Sequence, residues 1–254
     1  MTEEILLDKR DDRVAVLTLN RPQALNAINR GMVRLLHQAI ADVEADDGID
    51  ILLIAGAGDK AFCVGIDLKE RQTLSDDEAH TYRLGELFPM YAAIEARTKP
   101  AIALVDGHCL AGGFEIALSC DMILATPRST FGLPEVKWGL VPAAGGCRKL
   151  PGLIGAVRTK ELILTAATVG AEEAERLGMI NRVVPREELL ANGLDLARRV
   201  LDKVQIAVRG AKRCIDNAPA NSAAFDIEVS NQCYAAKERK EGVSRFAGGK
   251  PAHS

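Results

Sequence analysis

The sequence has no run of about 18 apolar residues, so it offers no candidate transmembrane helix. It has no surplus of basic charge. A net charge of −3 gives no broad pull toward nucleic acid or an acidic membrane surface. The densest basic cluster, Lys237 to Gly242 (KERKEG), contains two glutamates and reads as a solvated helix face. The six cysteines (63, 109, 120, 147, 214 and 233) form no C-x-x-C pair and no metal-type spacing. They are expected to be reduced, mostly buried thiols of a cytoplasmic protein. The four histidines, His37, His80, His108 and His253, are dispersed, which argues against a zinc cluster. The first ten residues, MTEEILLDKR, lack a basic segment followed by an apolar one, so no signal peptide is expected. No glycine-rich loop ends in Gly-Lys-Ser/Thr, which excludes a phosphate-binding P-loop.

What is present is an ordinary globular composition. The 254 residues are 48% hydrophobic and 26% charged, enough for one large domain or a domain with an appendage. Glu4 to Asp8 and Val14 to Leu19 are β-type runs flanking a polar turn, which predicts a hairpin. NRPQALNAIN then reads as a loop, with Asn26 or Asn29 available to cap a helix. Val33, Leu36, Ile40 and Val43 recur at helical spacing. IDILLIAGAG, PAIALVDG and DMILAT are apolar runs typical of buried strands. Helical segments over 76–97 and 112–120 separate them. Alternating strands and helices predict right-handed crossovers and a largely parallel sheet. From about Glu187 to residue 242 the pattern is helical, with a break near Pro219 and no strand signal.

Three segments carry candidate chemistry. In GDKAFCVGIDLKE a strand runs into a glycine turn that exposes the amides of Val64 and Gly65, although an ordinary strand-to-helix loop has the same look. In GHCLAGGFEIALSCD, Gly112 and Gly113 permit close approach of a ligand, or close helix–strand packing. Glu115 stands there in an almost wholly apolar helix, where a carboxylate is costly unless paired or used, but is favoured by the helix dipole in a first turn. Amides from Val64 and Gly112 could converge on one oxygen as an oxyanion hole. In FGLPEVKWGLVPAAGG, Glu135 taken alone suits a surface turn. Trp138, the only tryptophan, suits core packing or the wall of an apolar pocket, packing being favoured.

In this order, the segments resemble the crotonase superfamily, the enoyl-CoA hydratase/isomerase family, over nearly the whole chain. The match also takes in NRPQALNAIN and the stretch GAVRTKELILTAATVGAEEAERLGMINRVVP. The resemblance implies an α/β fold, a spiral of repeated ββα units. It implies a core over 1–190 carrying the site and a helical region over 191–254 used in oligomerisation, as a homotrimer or a hexamer of two trimers. Val64 and Gly112 match the two oxyanion donors, and Glu115 and Glu135 match the acid pair of the hydratase members. Ala24, Asn26, Ala61, Gly65, Ile66, Asp67 and Leu68 match coenzyme A contacts. Phe114 and Trp138 fall where the acyl group would pack.

The function implied is reversible hydration of a 2-enoyl-CoA in fatty acid metabolism. It needs no metal and no cofactor beyond the coenzyme A of its substrate, and neither nucleic acid nor a membrane as partner. The alternatives are isomerisation or dehydration of a specialised acyl-CoA, or a non-catalytic acyl-CoA- or RNA-binding role. The chain departs from the family pattern in several places. Ala111 and Ala166 replace common glycines, Phe114 is bulky beside Glu115, Trp138 replaces an aliphatic residue, and Gly248-Gly249 interrupts the tail between Phe246 and Lys250.

Overall fold

The computed structural model describes residues 3–217 and 223–237. The expected break at Pro219, most of the KERKEG cluster and the tail from Phe246 to Lys250 lie outside them. Among the described residues ten strands form two sheets. β1 (Ile5–Lys9) and β2 (Val14–Leu19) make the expected antiparallel hairpin. Arg30–Ala45 is helix α1, capped by Asn29, whose side chain accepts from the Met32 amide. Its buried stripe of Met32, Val33, Leu36, Ile40 and Val43 follows the helical spacing of the sequence.

Three turns of a spiral follow, each with one strand in a large sheet and one in a small sheet. The first is β3 (Ile51–Gly56) and β4 (Ala61–Cys63), followed by helices α2 (Leu68–Arg71), α3 (Asp76–Tyr82) and α4 (Phe88–Ala96). A π-helical turn, Arg83–Leu87, joins the last two. The second is β5 (Ala101–Val105), β6 (His108–Leu110) and α5 (Gly112–Leu118). The third is β7 (Met122–Ala125) and β8 (Thr130–Gly132), then a 3-10 turn Pro134–Trp138 and helices α6 (Gly146–Ile154) and α7 (Ala156–Thr165). After them come β9 (Thr168–Gly170), α8 (Ala171–Leu177), β10 (Arg182–Val183), α9 (Leu189–Leu201), α10 (Gln205–Asn217) and α11 (Ala223–Ala235).

The large sheet has the order β1-β2-β3-β5-β7-β10 and the small one β4-β6-β8-β9. Every pairing from β2 to β10 in the large sheet is parallel, as are β4–β6 and β6–β8. Parallel strands covered on both faces need apolar side chains throughout, which is why ILLI and AIALV read as unbroken apolar runs.

α9, which starts at Leu189, packs on the large sheet. Leu189 and Ala197 are buried with Val14, Ile51, Leu53, Ile102, Leu104 and Leu124 on one face of the large sheet. α10 is held to the core by charge instead. Arg209 bonds the buried Asp50 at 2.6 Å, and Lys212 bonds Asp121 at 2.7 Å. Asp121 also takes the buried Arg97 at 2.8 Å and the Ala101 amide at 2.7 Å. The cysteines form no disulfide and are not mostly buried: only Cys63 and Cys109 are fully enclosed, and Cys147 on α6 is exposed.

Candidate active site

The small sheet lines up three loop segments, because β4, β6 and β8 are parallel neighbours whose C-terminal ends face the same way. Val64 follows β4, Gly112 opens α5 two residues after β6, and Glu135 lies in the 3-10 turn after β8. The amides of Val64 and Gly112 donate to no backbone carbonyl among the described residues. Their segments touch. A Cβ on Gly65 (φ +91) would lie 2.7 Å from the Ala111 Cβ and 3.0 Å from the Gly112 nitrogen. A Cβ on Gly113 would run into the backbone carbonyl of Cys63. Ala111 turns the chain between β6 and α5 with φ 49 and ψ −132, a conformation costly for a residue with a side chain.

Glu115 is 4% exposed on α5. Its Oε1 accepts from the amides of Ala144 (2.8 Å) and Gly146 (2.9 Å), where the loop after Trp138 enters α6. Burial pushes its carboxyl pKa up, and those two amides and Lys149 pull it back. Glu135 is 8% exposed, so it is not the surface turn residue its isolated sequence suggests. Its Oε2 is buried with no hydrogen-bond partner. Burial, with a further push from the Glu115 charge, raises the Glu135 pKa to about 7, against a smaller pull from its own amide. The two acids therefore differ: one is anchored by two donors, the other is orphaned and half-protonated near neutral pH.

Sequence reasoning missed two parts of this arrangement. The amides of Ala144 and Gly146 reach Glu115 across 29 and 31 residues, and only the small-residue string PAAGG hinted at a functional turn. Tyr91 on α4 carried no signal, but its hydroxyl is buried without a partner against Gly112 and in the field of Glu115 and Glu135.

The sequence matches the enoyl-CoA hydratase/isomerase family over residues 9–253. The chain belongs to that family. A crotonyl-CoA hydratase of Syntrophomonas wolfei is 38% identical, covering 96% of this chain and 95% of the relative. A short-chain-enoyl-CoA hydratase of Clostridium acetobutylicum is 34% identical over 95% and 94%. Among solved structures, an enoyl-CoA hydratase from Mycobacterium tuberculosis H37Rv superposes with a TM-score of 0.89 at 33% identity, covering 98% of both chains.

Within this hydratase/isomerase scaffold, the residues expected at coenzyme A divide into two groups. Ile28 bridges Ile66 in parallel, its amide donating to the Gly65 carbonyl (2.8 Å) while the Asp67 amide donates to the Ile28 carbonyl (2.9 Å). These bonds bring the loop of Ala24 beside the segment Gly65, Ile66, Asp67 and Leu68. Asp67 caps α2 and pairs with Arg21 at 3.1 Å. Asn26 and Ala61, in contrast, face inward. Asn26 is fully buried at φ 56; its amide group donates to the carbonyls of Ala57 (2.9 Å) and Ala61 (2.8 Å), and its Oδ1 accepts from the Arg21 amide (2.9 Å). Both hydrogens of its side-chain amide are spent inside the protein, so the Asn26 side chain acts as a clasp on its loop.

The two aromatic residues expected near the acyl group differ in burial. Phe114 is 0% exposed and packs against Phe131, ring centroids 5.4 Å apart and planes tilted by 58°, which anchors α5. Trp138 does not pack in the core as expected. It is 66% exposed, beside the exposed Leu140 and Val141, where Gly139 (φ 69) turns the chain outward. Among the described residues no three His, Cys, Asp or Glu side chains gather as a metal-ligating group, and no helix is long and apolar enough to cross a membrane.

Proposed function

We infer that the protein is a 2-enoyl-CoA hydratase, a hydro-lyase that reversibly adds water across the 2,3-double bond to give a 3-hydroxyacyl-CoA. The observation that carries this reading is the unequal acid pair, with Glu115 tied to two amides and Glu135 orphaned with its pKa raised to about 7. The thioester oxygen sits between the amides of Val64 and Gly112. Donors of this kind stabilise the enolate-like transition state by about 3–4 kcal/mol each. Polarisation makes C3 electrophilic. Glu115 takes a proton from water as its oxygen bonds to C3, and Glu135 gives its proton to C2. Protons balance: one enters Glu115, one leaves Glu135, and the pair re-equilibrates with solvent before the next turnover. Coenzyme A belongs to the substrate, and no step calls on a further cofactor.

Ala24, Gly65, Ile66, Asp67 and Leu68 are assigned to the coenzyme by their place on the adjoining rims. Assembly as a trimer, or a hexamer of two trimers, is assigned to the helical region and supported by the exposed apolar residues Ile215 on α10 and Ile227 on α11.

The test is the loss of enoyl-thioester absorbance when crotonyl-CoA is added. Glu135→Gln is expected to lower turnover about 10²- to 10⁴-fold. Near-normal turnover by that variant removes Glu135 from the mechanism. Turnover of a 3-enoyl-CoA with none of crotonyl-CoA replaces hydration by isomerisation.

A further inference from the structure

Tyr91 stands on the buried side of α4 and is 4% exposed. Its hydroxyl has no hydrogen-bond partner among the described residues, and a buried hydroxyl without one costs about 1–3 kcal/mol. Its location is specific. A Cβ placed on Gly112 would collide with the Tyr91 oxygen and lie 3.4 Å from its Cζ, so the hydroxyl rests against the Gly112 backbone. On its other side that same Cβ position is 3.7 Å from Gly65 Cα, the residue after Val64. The charges that act on the phenol most strongly are Glu115, Cys63 and Glu135. A second orphaned polar atom, Oε2 of Glu135, belongs to the same group of residues. Two buried polar atoms without partners stand near two amides that donate to no backbone carbonyl, a set of unmet hydrogen bonds that an oxygen-bearing ligand would complete.

We propose that the Tyr91 hydroxyl touches the substrate as a third hydrogen-bond donor to the thioester oxygen, beside the amides of Val64 and Gly112. The proposal deepens the hydratase reading and rests on it for the identity of the ligand. Burial and the surrounding negative groups hold the phenol protonated at neutral pH, so it acts as a donor and exchanges no proton with the substrate. It also explains why Gly112 is a glycine on grounds separate from its amide: any side chain there would displace the hydroxyl.

The test is Tyr91→Phe, which keeps the ring and removes one oxygen. Three measurements separate the outcomes. Difference infrared spectra of bound, carbonyl-labelled butyryl-CoA, which cannot be hydrated, are expected to show the thioester C=O stretch moving to higher frequency in the variant. With crotonyl-CoA, kcat/KM is expected to fall about 3- to 10-fold, the effect of one neutral hydrogen bond. Tm is expected to stay level or rise, since the orphaned hydroxyl is gone. An unmoved carbonyl band with wild-type kcat/KM overturns the proposal and leaves the hydratase reading intact. A lowered Tm with an unmoved band also overturns it, by making the hydroxyl structural. A wild-type protein that binds butyryl-CoA with a Tyr91-sensitive band, but does not hydrate crotonyl-CoA, overturns the hydratase reading alone.

Discussion

At the scale of single residues, the two carboxyls have different titrations, and this sets the pH behaviour. Hydration in the proposed roles needs Glu135 protonated, so kcat/KM for hydration is expected to fall as pH rises through about 7. Glu135→Gln is expected to lose that alkaline limb together with its activity. The same raised pKa acts on stability. Glu135 binds its proton more tightly in the folded chain, so its contribution is full below the ordinary carboxyl range and is lost as pH rises through about 7. Denaturant titrations are expected to show the wild type losing stability relative to Glu135→Gln over that interval, by about 1.4 kcal/mol for each pH unit crossed.

Backbone angles explain why glycine suits the two positions that alanine holds here. Both have positive φ: Ala111 at 49 and Ala166, the residue closing α7, at 53. Ala166→Gly is expected to raise stability by about 0.5–1 kcal/mol, measured by urea unfolding, because a left-handed cap suits glycine. The sequence marked Ala111 and Ala166 as unusual; their conformations supply the physical reason. It also singled out Glu115 and Glu135, because a charge in an apolar segment stands out. It misjudged the core packing favoured for Trp138, because the direction of an apolar side chain depends on packing that no local spacing encodes.

At the scale of elements, the site depends on how closely β4 and α5 approach. Gly113 lets α5 seat on the Cys63 carbonyl. Gly113→Ala must push the two apart, and is expected to cost about 1–3 kcal/mol of stability and to depress crotonyl-CoA turnover more than Tm alone explains. Strands and helices were legible in the sequence because the large sheet is covered on both faces and α1 has a single buried stripe. The clasp made by Asn26 was not legible. An asparagine in a loop looks like a cap or a ligand contact until the carbonyls of Ala57 and Ala61 are seen to converge on it.

At the scale of the whole molecule, α10 is fastened through charges that the core buries. Arg97 reaches the Ser119 carbonyl at 2.7 Å and Asp121 at 2.8 Å, and Asp121 passes the link to Lys212. Asp121→Ala leaves Arg97 buried and without its carboxylate. It is expected to cost about 3–5 kcal/mol in unfolding free energy and to expose the segment around Lys203 to limited proteolysis. The spiral itself has a different consequence. Each of its three turns delivers one part of the proposed site from the same end of the small sheet: Val64 from the first, Gly112 with Glu115 from the second, Glu135 from the third. The proposed thioester grip, with Glu115, and the proposed proton donor Glu135 are thereby written in separate stretches of chain. A lineage can revise residues 133–146, and with them the reaction, while inheriting the grip unchanged.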